Sequence, residues 1–216
     1  SCELPSLEPD NPYPITKKFF DTKPPGAISV ASSGSLYCVV WHMFKCKDGD
    51  RFISSGHGDM GYEVPVGIGA AFHGQTVFSF VGDGSFQLNL QELQTIKNYN
   101  LPVVIMYYNN GGYGAIQITQ STVFKREFGT RVGCPDIKKI AQAYDIPYYT
   151  ATDTDFSTIQ GPAIVEIVCT VQERFPKISN KAMPDGTFKN RPYEDMCPFL
   201  DQSDLDSNMF VPQLKI

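Results

Sequence analysis

The chain has no CxxC pair, and its six cysteines, at 2, 38, 46, 134, 169 and 197, follow no metal or iron–sulfur spacing. It has no cluster of lysine and arginine of the kind that tracks a phosphate backbone. With a net charge of −5, this excludes a nucleic-acid or anionic-membrane surface as its main business. No apolar run approaches about 18 residues, so no membrane span is expected. The opening SCELPSLEPD is acidic and proline-bearing and lacks the shape of a signal peptide. No internal repeat or low-complexity segment occurs. Charged residues reach only 19% against 42% hydrophobic, the balance of a soluble globular protein, and 216 residues suffice for one domain with a sizeable core. In such a domain scattered cysteines are expected to be reduced and mostly buried, which places the protein in the cytoplasm; a disulfide framework is the alternative.

What the chain does have is concentrated in residues 82–110, GDGSFQLNLQELQTIKNYNLPVVIMYYNN. Gly82-Asp83-Gly84 follows an apolar run, 76–81, that reads as a buried strand. Phe86, Leu90, Leu93 and Ile96 then recur with helical period, predicting a helix over 85–100. A second buried strand, 101–108, ends at Asn109-Asn110. Two strands joined through a helix lie parallel, so Asp83 and Asn110 are expected at the same sheet edge. A carboxylate and an amide oxygen are hard donors that suit Mg²⁺ or Ca²⁺ shared with a phosphate. The glycines admit close backbone approach, and the helix start offers free N–H groups to an anion. The competing reading makes Asp83 a helix cap, worth about 1 kcal/mol.

Along the rest of the chain, prolines at 5, 9, 12, 14, 24 and 25 predict a linker or an irregular N-terminal arm over 1–26. The core domain is expected over 27–171: a strand at 27–31, a helix to about 45, a short strand at 51–54, a loop 56–61 leading into a small-residue helix at 64–72, a Gly- and Thr-rich loop over 111–131, a helix at 135–144 and a last strand at 163–168. Residues 172–216 are expected to form an extended tail that wraps a neighbour. Alternating strands and helices give an α/β class with a parallel sheet flanked by helices, and ligands in such sheets bind beyond the carboxyl ends of the strands. Three segments converge there: Ser32–Leu36, His57–Met60 and the Asp83/Asn110 pair.

The GDG and NN ends, with strand, helix and strand between them, resemble the thiamine diphosphate (ThDP) signature. Together with Ser54-Ser55-Gly56-His57-Gly58-Asp59-Met60-Gly61-Tyr62 they resemble the C-terminal, diphosphate-binding domain of acetolactate synthase-like ThDP enzymes over residues 27–170. The tail RPYEDMCPFLD, residues 191–201, is similar over a short stretch to acetolactate synthase-like proteins of polysaccharide and nucleotide-sugar gene clusters. The resemblance implies the ThDP-binding fold and Mg²⁺ held by the side chains of Asp83 and Asn110 and the carbonyl of Gly112. Gly34, Ser35, Leu36, Gly82, Gly84, Ser85, Tyr113 and Gly114 would surround the diphosphate, with Ser85 and the 34–36 turn as donors. Gly58 would hold the aminopyrimidine, and Met60 would prop the cofactor into its bent shape. His57 is the one candidate for a catalytic side chain, whereas a histidine beside glycines is often simply exposed. His42 and His73 read as structural, and Asp153/Asp155 as a solvated turn.

The resemblance also shows what has no match. Enzymes of this type carry a pyrimidine-binding domain whose glutamate protonates the cofactor; Glu63 and Glu92 lie on the wrong elements for that role. The middle domain that binds FAD in some relatives has no counterpart either. The expectation is therefore the ThDP- and Mg²⁺-binding portion of a 2-oxo-acid decarboxylating carboligase, a piece of a longer protein or one subunit of a split enzyme. It would pair with a pyrimidine domain and form a homo-oligomer. The alternatives are a split-subunit 2-oxo-acid decarboxylase and a non-catalytic ThDP-binding or interaction module.

Overall fold

A computed structural model describes residues 10–170, 180–182, 185, 188–190, 195 and 200–211. The chain divides into two compact units, residues 6–173 and residues 1–5 with 174–216. The larger unit is α/β. Its strands β1 (Ile28–Val30), β2 (Arg51–Ile53), β3 (Val77–Gly82), β4 (Val103–Asn109), β5 (Tyr148–Thr150) and β6 (Ala163–Val168) form one six-stranded sheet in the order β2-β1-β3-β4-β6-β5. Every pairing is parallel.

The two faces of the sheet follow from side-chain alternation along its buried strands. On β4, Val104, Met106 and Tyr108 enter one apolar cluster with Phe78, Phe80, Leu36 and Val40. Val103, Ile105 and Tyr107 enter the other, with Val64, Ile68, Phe86, Leu93, Ile96 and Ile137. The helix after β1, α2 (Gly34–Met43), therefore covers one face. Helix α3 (Glu63–Ala71) and the helical segments after β3 cover the opposite face. The chain leaves neighbouring strands β1 and β3 toward opposite faces, and that divergence opens a crevice at their carboxyl ends, where open α/β sheets bind ligands.

Several expectations are corrected. Residues 12–22, expected within an irregular arm, form helix α1 (Pro12–Thr22). Its prolines fall in the first turn, where the missing N–H has no intrahelical partner to lose, and Asn11 caps it through Tyr13 N at 2.9 Å. The single helix expected over 85–100 is broken into α4 (Asp83–Phe86), a 3-10 turn over Gln87–Glu92 and α5 (Leu93–Asn98). The break is at Asn89, whose backbone leaves helical geometry while its side chain donates to the Gly61 carbonyl at 2.6 Å. The loop expected over 111–131 contains helix α6 (Gly114–Val123); Gly111 and Gly112, both at positive φ, precede it. Strand β5 was not foreseen, and helix α7 (Ile137–Ala143) is shorter than its prediction.

Among the described cysteines, Cys38, Cys46, Cys134 and Cys169 are free thiols, and only Cys169 is buried. The expectation of mostly buried thiols fails because Cys38, midway along α2, and Cys134, in the loop before residue 137, are only half-buried and Cys46 lies in an exposed loop; Cys2 and Cys197 lie outside the described residues. Among the described residues no helix is long and apolar enough to cross a membrane. In the smaller unit, β7 (Asn180–Ala182) and β8 (Phe188–Asn190) form an antiparallel pair, and α8 (Gln202–Asn208) follows. The tail thus carries secondary structure at those positions, while most of the 191–201 motif lies outside the described residues.

Candidate cofactor site

The crevice between β1 and β3 holds a cavity of about 300 Å³. It is lined by segments after three strands: Ser33–Leu36, Gly82–Ser85, and Asn110 with Gly112–Ile116; Gly58 and Met60 close another side. Every residue that the sequence assigned to a metal or cofactor borders it. Ser33, Ala115 and Ile116 border it as well and carried no assignment, because nothing local distinguishes a small or aliphatic residue at a cavity wall. His57 is exposed and does not border it. Among the described residues no lysine, arginine or histidine lies in the lining. His42 pairs with the Tyr13 hydroxyl at 2.9 Å. The Asp153 and Asp155 side chains are taken up by Thr150 and Ser157 in an exposed turn.

Asp83 is the electrostatic centre of the cavity. It is only 1% exposed. Oδ2 accepts from the backbone N–H groups of Asn110 at 3.2 Å, Gly111 at 2.7 Å and Gly112 at 3.0 Å. Oδ1 accepts from Gly84 N at 2.7 Å. The carboxylate therefore staples the end of β3 to the loop after β4. It does not cap the following helix, which Gly82 precedes without any side-chain cap. Burial drives the Asp83 pKa above its ordinary value, and the four N–H bonds oppose that rise. Oδ2 is saturated by three donors, which leaves Oδ1 as the oxygen with capacity for a cation. Asn110 offers its Oδ1, touched by Gly112 N at a long 3.3 Å, and the Gly112 carbonyl accepts a single N–H, from Gly114 at 2.9 Å.

Strand alternation explains why the second asparagine serves the cavity. Asn109 ends β4 pointing away, and its amide donates to Glu166 of β6 at 2.8 Å. Asn110, the next residue, turns back toward Asp83. Two glycines admit the close approach. A Cβ on Gly84 would stand 2.6 Å from the Tyr113 ring, and one on Gly112, whose φ is +132°, would stand 2.5 Å from the Thr130 carbonyl. The Cys134 thiol, which accepts from the Gln87 amide at 3.0 Å, lies beside Asp83; burial raises its pKa and the Asp83 charge adds to the rise.

Ser85 departs from expectation. Its hydroxyl donates to Glu63 Oε2 at 2.9 Å and accepts from Gly61 N at 2.8 Å, so its proton is directed behind the cavity wall. Glu63, 1% exposed, also receives the Ser33 N–H at 3.0 Å and the Ser33 hydroxyl at 2.8 Å. This network joins segments 30 residues apart in sequence and has no local signature.

Among the described residues no three His, Cys, Asp or Glu side chains converge as a metal centre. A single carboxylate, an amide and a carbonyl form instead an all-oxygen partial shell, which suits a hard divalent cation whose remaining ligands come from an anion and water.

Comparison with known proteins agrees with this geometry. Residues 32–167 match the family described as thiamine pyrophosphate enzyme, C-terminal TPP binding domain. The chain is 40% identical over 102 residues to the acetolactate synthase large subunit of Pyropia yezoensis, covering 45% of this chain and 17% of that protein. It is 32% identical over 149 residues to that of Porphyra purpurea, covering 62% and 25%. It is 40% identical over 110 residues to a probable acetolactate synthase large subunit of Methanococcus aeolicus, covering 49% and 18%. The chain thus spans a quarter or less of the length of these relatives. With the match covering more than half of its residues and the cavity placed at the β1/β3 crevice, this chain belongs to the thiamine pyrophosphate enzyme family, as its C-terminal TPP-binding domain.

Proposed function

We propose that the chain is the ThDP- and Mg²⁺-binding portion of a 2-oxo-acid decarboxylating carboligase of acetolactate synthase type. The observation that carries the reading is the cavity's charge pattern: a buried carboxylate, two further oxygen donors and no cationic side chain. A diphosphate fits such a wall only together with a divalent cation. Asp83 Oδ1, Asn110 Oδ1 and the Gly112 carbonyl would hold the metal, and the backbone N–H groups around Gly34–Leu36 would face the phosphates. Met60, 41% exposed with its methyl group beside Gly84, would support the body of the cofactor. Bound there, ThDP supplies a thiazolium that takes up the electron pair released when a 2-oxo acid loses carbon dioxide.

The chain's own residues bind and orient; no carboxylate in the cavity lining is free to exchange a proton with the aminopyrimidine. That task belongs to a pyrimidine-binding domain, in the same protein or in a partner. The surface beside the cavity supports such pairing. Met60 and Ile116 border the opening, and helix α6 ends in Val123 with Phe124 as its C-cap, 45% and 70% exposed. A row of exposed apolar residues beside a ligand site makes poor water-facing surface and good partner surface. The short similarity at 191–201 supports service in a sugar or polysaccharide pathway. The test is calorimetry of ThDP with Mg²⁺ against the chain reconstituted with a pyrimidine domain. Binding is expected to require the metal and to fall at least about tenfold in Asp83→Ala. Equal affinity in the variant removes the metal assignment.

A further inference from the structure

Glu63 plays no part in the binding scheme above, yet it is among the most buried charged side chains of the domain. It occupies the first turn of α3, behind the cavity wall rather than in it. Its backbone is fixed from below: Ser79 Oγ of β3 donates to the Glu63 carbonyl at 3.1 Å. Gly67, one turn on, lies so close to the sheet that a Cβ there would stand 2.1 Å from Ser79 Oγ. Among the described residues its carboxylate accepts from neutral donors, the Ser33 N–H, the Ser33 hydroxyl and the Ser85 hydroxyl. Both hydroxyls belong to residues that line the cavity.

Each serine has one hydroxyl proton. Ser33 Oγ lies 2.8 Å from Glu63 Oε1 and 3.3 Å from Ser85 Oγ, and the shorter, charge-assisted bond to the carboxylate takes the proton. Ser85 gives its proton to Oε2 and receives the Gly61 N–H. Toward the cavity these serines therefore present oxygen lone pairs, which repel phosphate oxygens. We propose that Glu63 is a positioning residue that sets the cavity's selectivity: it withholds the Ser33 and Ser85 protons from the ligand, so that a diphosphate is retained only as its divalent-metal complex. The same carboxylate ties the segments after β1, β2 and β3 into one wall, because Ser33 and Ser85 both donate to Glu63 and the Gly61 N–H donates to Ser85. This proposal rests on the diphosphate reading of the cavity, and its test separates the two.

The probe is inorganic pyrophosphate, with and without Mg²⁺, titrated calorimetrically into the full chain. Wild type is expected to bind the magnesium complex and to bind metal-free pyrophosphate at least about tenfold more weakly. Failure of wild type to bind the magnesium complex would overturn the diphosphate reading itself. Glu63→Gln keeps the shape. Its amide oxygen can retain both Ser33 donors while its NH₂ donates to Ser85 Oγ, which turns the Ser85 proton toward the cavity. Metal-free pyrophosphate should then bind about tenfold more tightly, the worth of one added hydrogen bond and one removed charge. Glu63→Leu releases both hydroxyls and should show a gain of similar size; adding Ser85→Ala to Glu63→Gln should cancel most of the gain. Unchanged or weaker metal-free binding in a folded Glu63 variant, with wild-type behaviour as above, overturns the proposal and leaves the diphosphate reading standing. A measurement on the unaltered chain reads the same protons. The Ser33 and Ser85 hydroxyl proton resonances should keep their positions when magnesium pyrophosphate is added, and their transfer to the ligand overturns the proposal.

Discussion

Replacing Asp83 by alanine separates two accounts of why that carboxylate is there, even with no ligand present. A residue that merely capped a helix would cost about 1 kcal/mol on truncation. The structure sets a larger value. Asp83 is the acceptor for four backbone N–H groups, those of Gly84, Asn110, Gly111 and Gly112. Gly84 and Gly112 are buried, so their N–H groups would be orphaned at about 1–3 kcal/mol each. Gly111 is exposed and Asn110 half-buried, so water can take over there at little cost. Against this stands relief of a desolvated charge, the cause of the raised Asp83 pKa. The net expectation is a loss of about 3 kcal/mol, a substantial part of the ~5–15 kcal/mol that holds a domain together. Urea denaturation followed by circular dichroism, without ThDP or Mg²⁺, measures it directly. Amide hydrogen exchange should show Gly112 losing protection in the variant. A loss of 1 kcal/mol or less, with protection of Gly112 unchanged, would refute the staple and restore the helix-cap account.

Gly112→Ala should weaken ThDP–Mg²⁺ binding at least tenfold and cost more than about 1 kcal/mol, because both its +132° φ and the 2.5 Å approach to the Thr130 carbonyl oppose a Cβ; calorimetry and melting check it. Burial holds the His42 imidazole below its ordinary value, so the neutral ring contributes stability that is present above pH 6.5 and lost as pH falls through the lower folded value. Glutamine, which can still accept from Tyr13, should flatten that part of the stability–pH curve in urea titrations of His42→Gln. Pure chain with ThDP, Mg²⁺ and pyruvate should release no carbon dioxide above background, and appreciable release would show that the pyrimidine-domain glutamate is dispensable. Light scattering at micromolar concentration should find a dimer or larger species, or tight pairing with a pyrimidine-domain chain; Phe124→Asp on the exposed α6 row should weaken either association.

The parts legible in the sequence were those with a local physical signature. Strands β3, β4 and β6 are runs of apolar residues buried on both faces, and no other arrangement of such runs fits an α/β chain. Parallel strands then bring Asp83 and Asn110 to one edge without further information. The parts that were not legible depend on contacts distant in sequence. Prolines 12 and 14 read as breakers because their place in a first turn depends on Asn11 acting as the cap and on Phe19 and Phe20 finding a core. Asn89 leaves helical geometry at a point where its side chain meets the Gly61 carbonyl 28 residues earlier. Helix α6 carries its apolar residues outward, so it lacks the inward stripe by which helices are recognised. Ser85 looked like a phosphate donor until the position of Glu63 was known.

Helix α1 has a consequence for how this domain can be divided. The family match begins at residue 32, yet Phe19, ten residues upstream of Ser29, is fully buried. Its ring meets Phe20, Phe78, Phe80 and Phe156 at centroid distances of 4.7–5.5 Å. The stretch that relatives share is therefore shorter than the stretch that must fold together. A protein cut to the shared boundaries would keep α2 on that side of the sheet but would uncover the Phe78 and Phe80 rings that Phe19 meets. Such a piece would be sticky even though every residue of its ligand cavity were present, and evolutionary modules and physical modules part company at this helix.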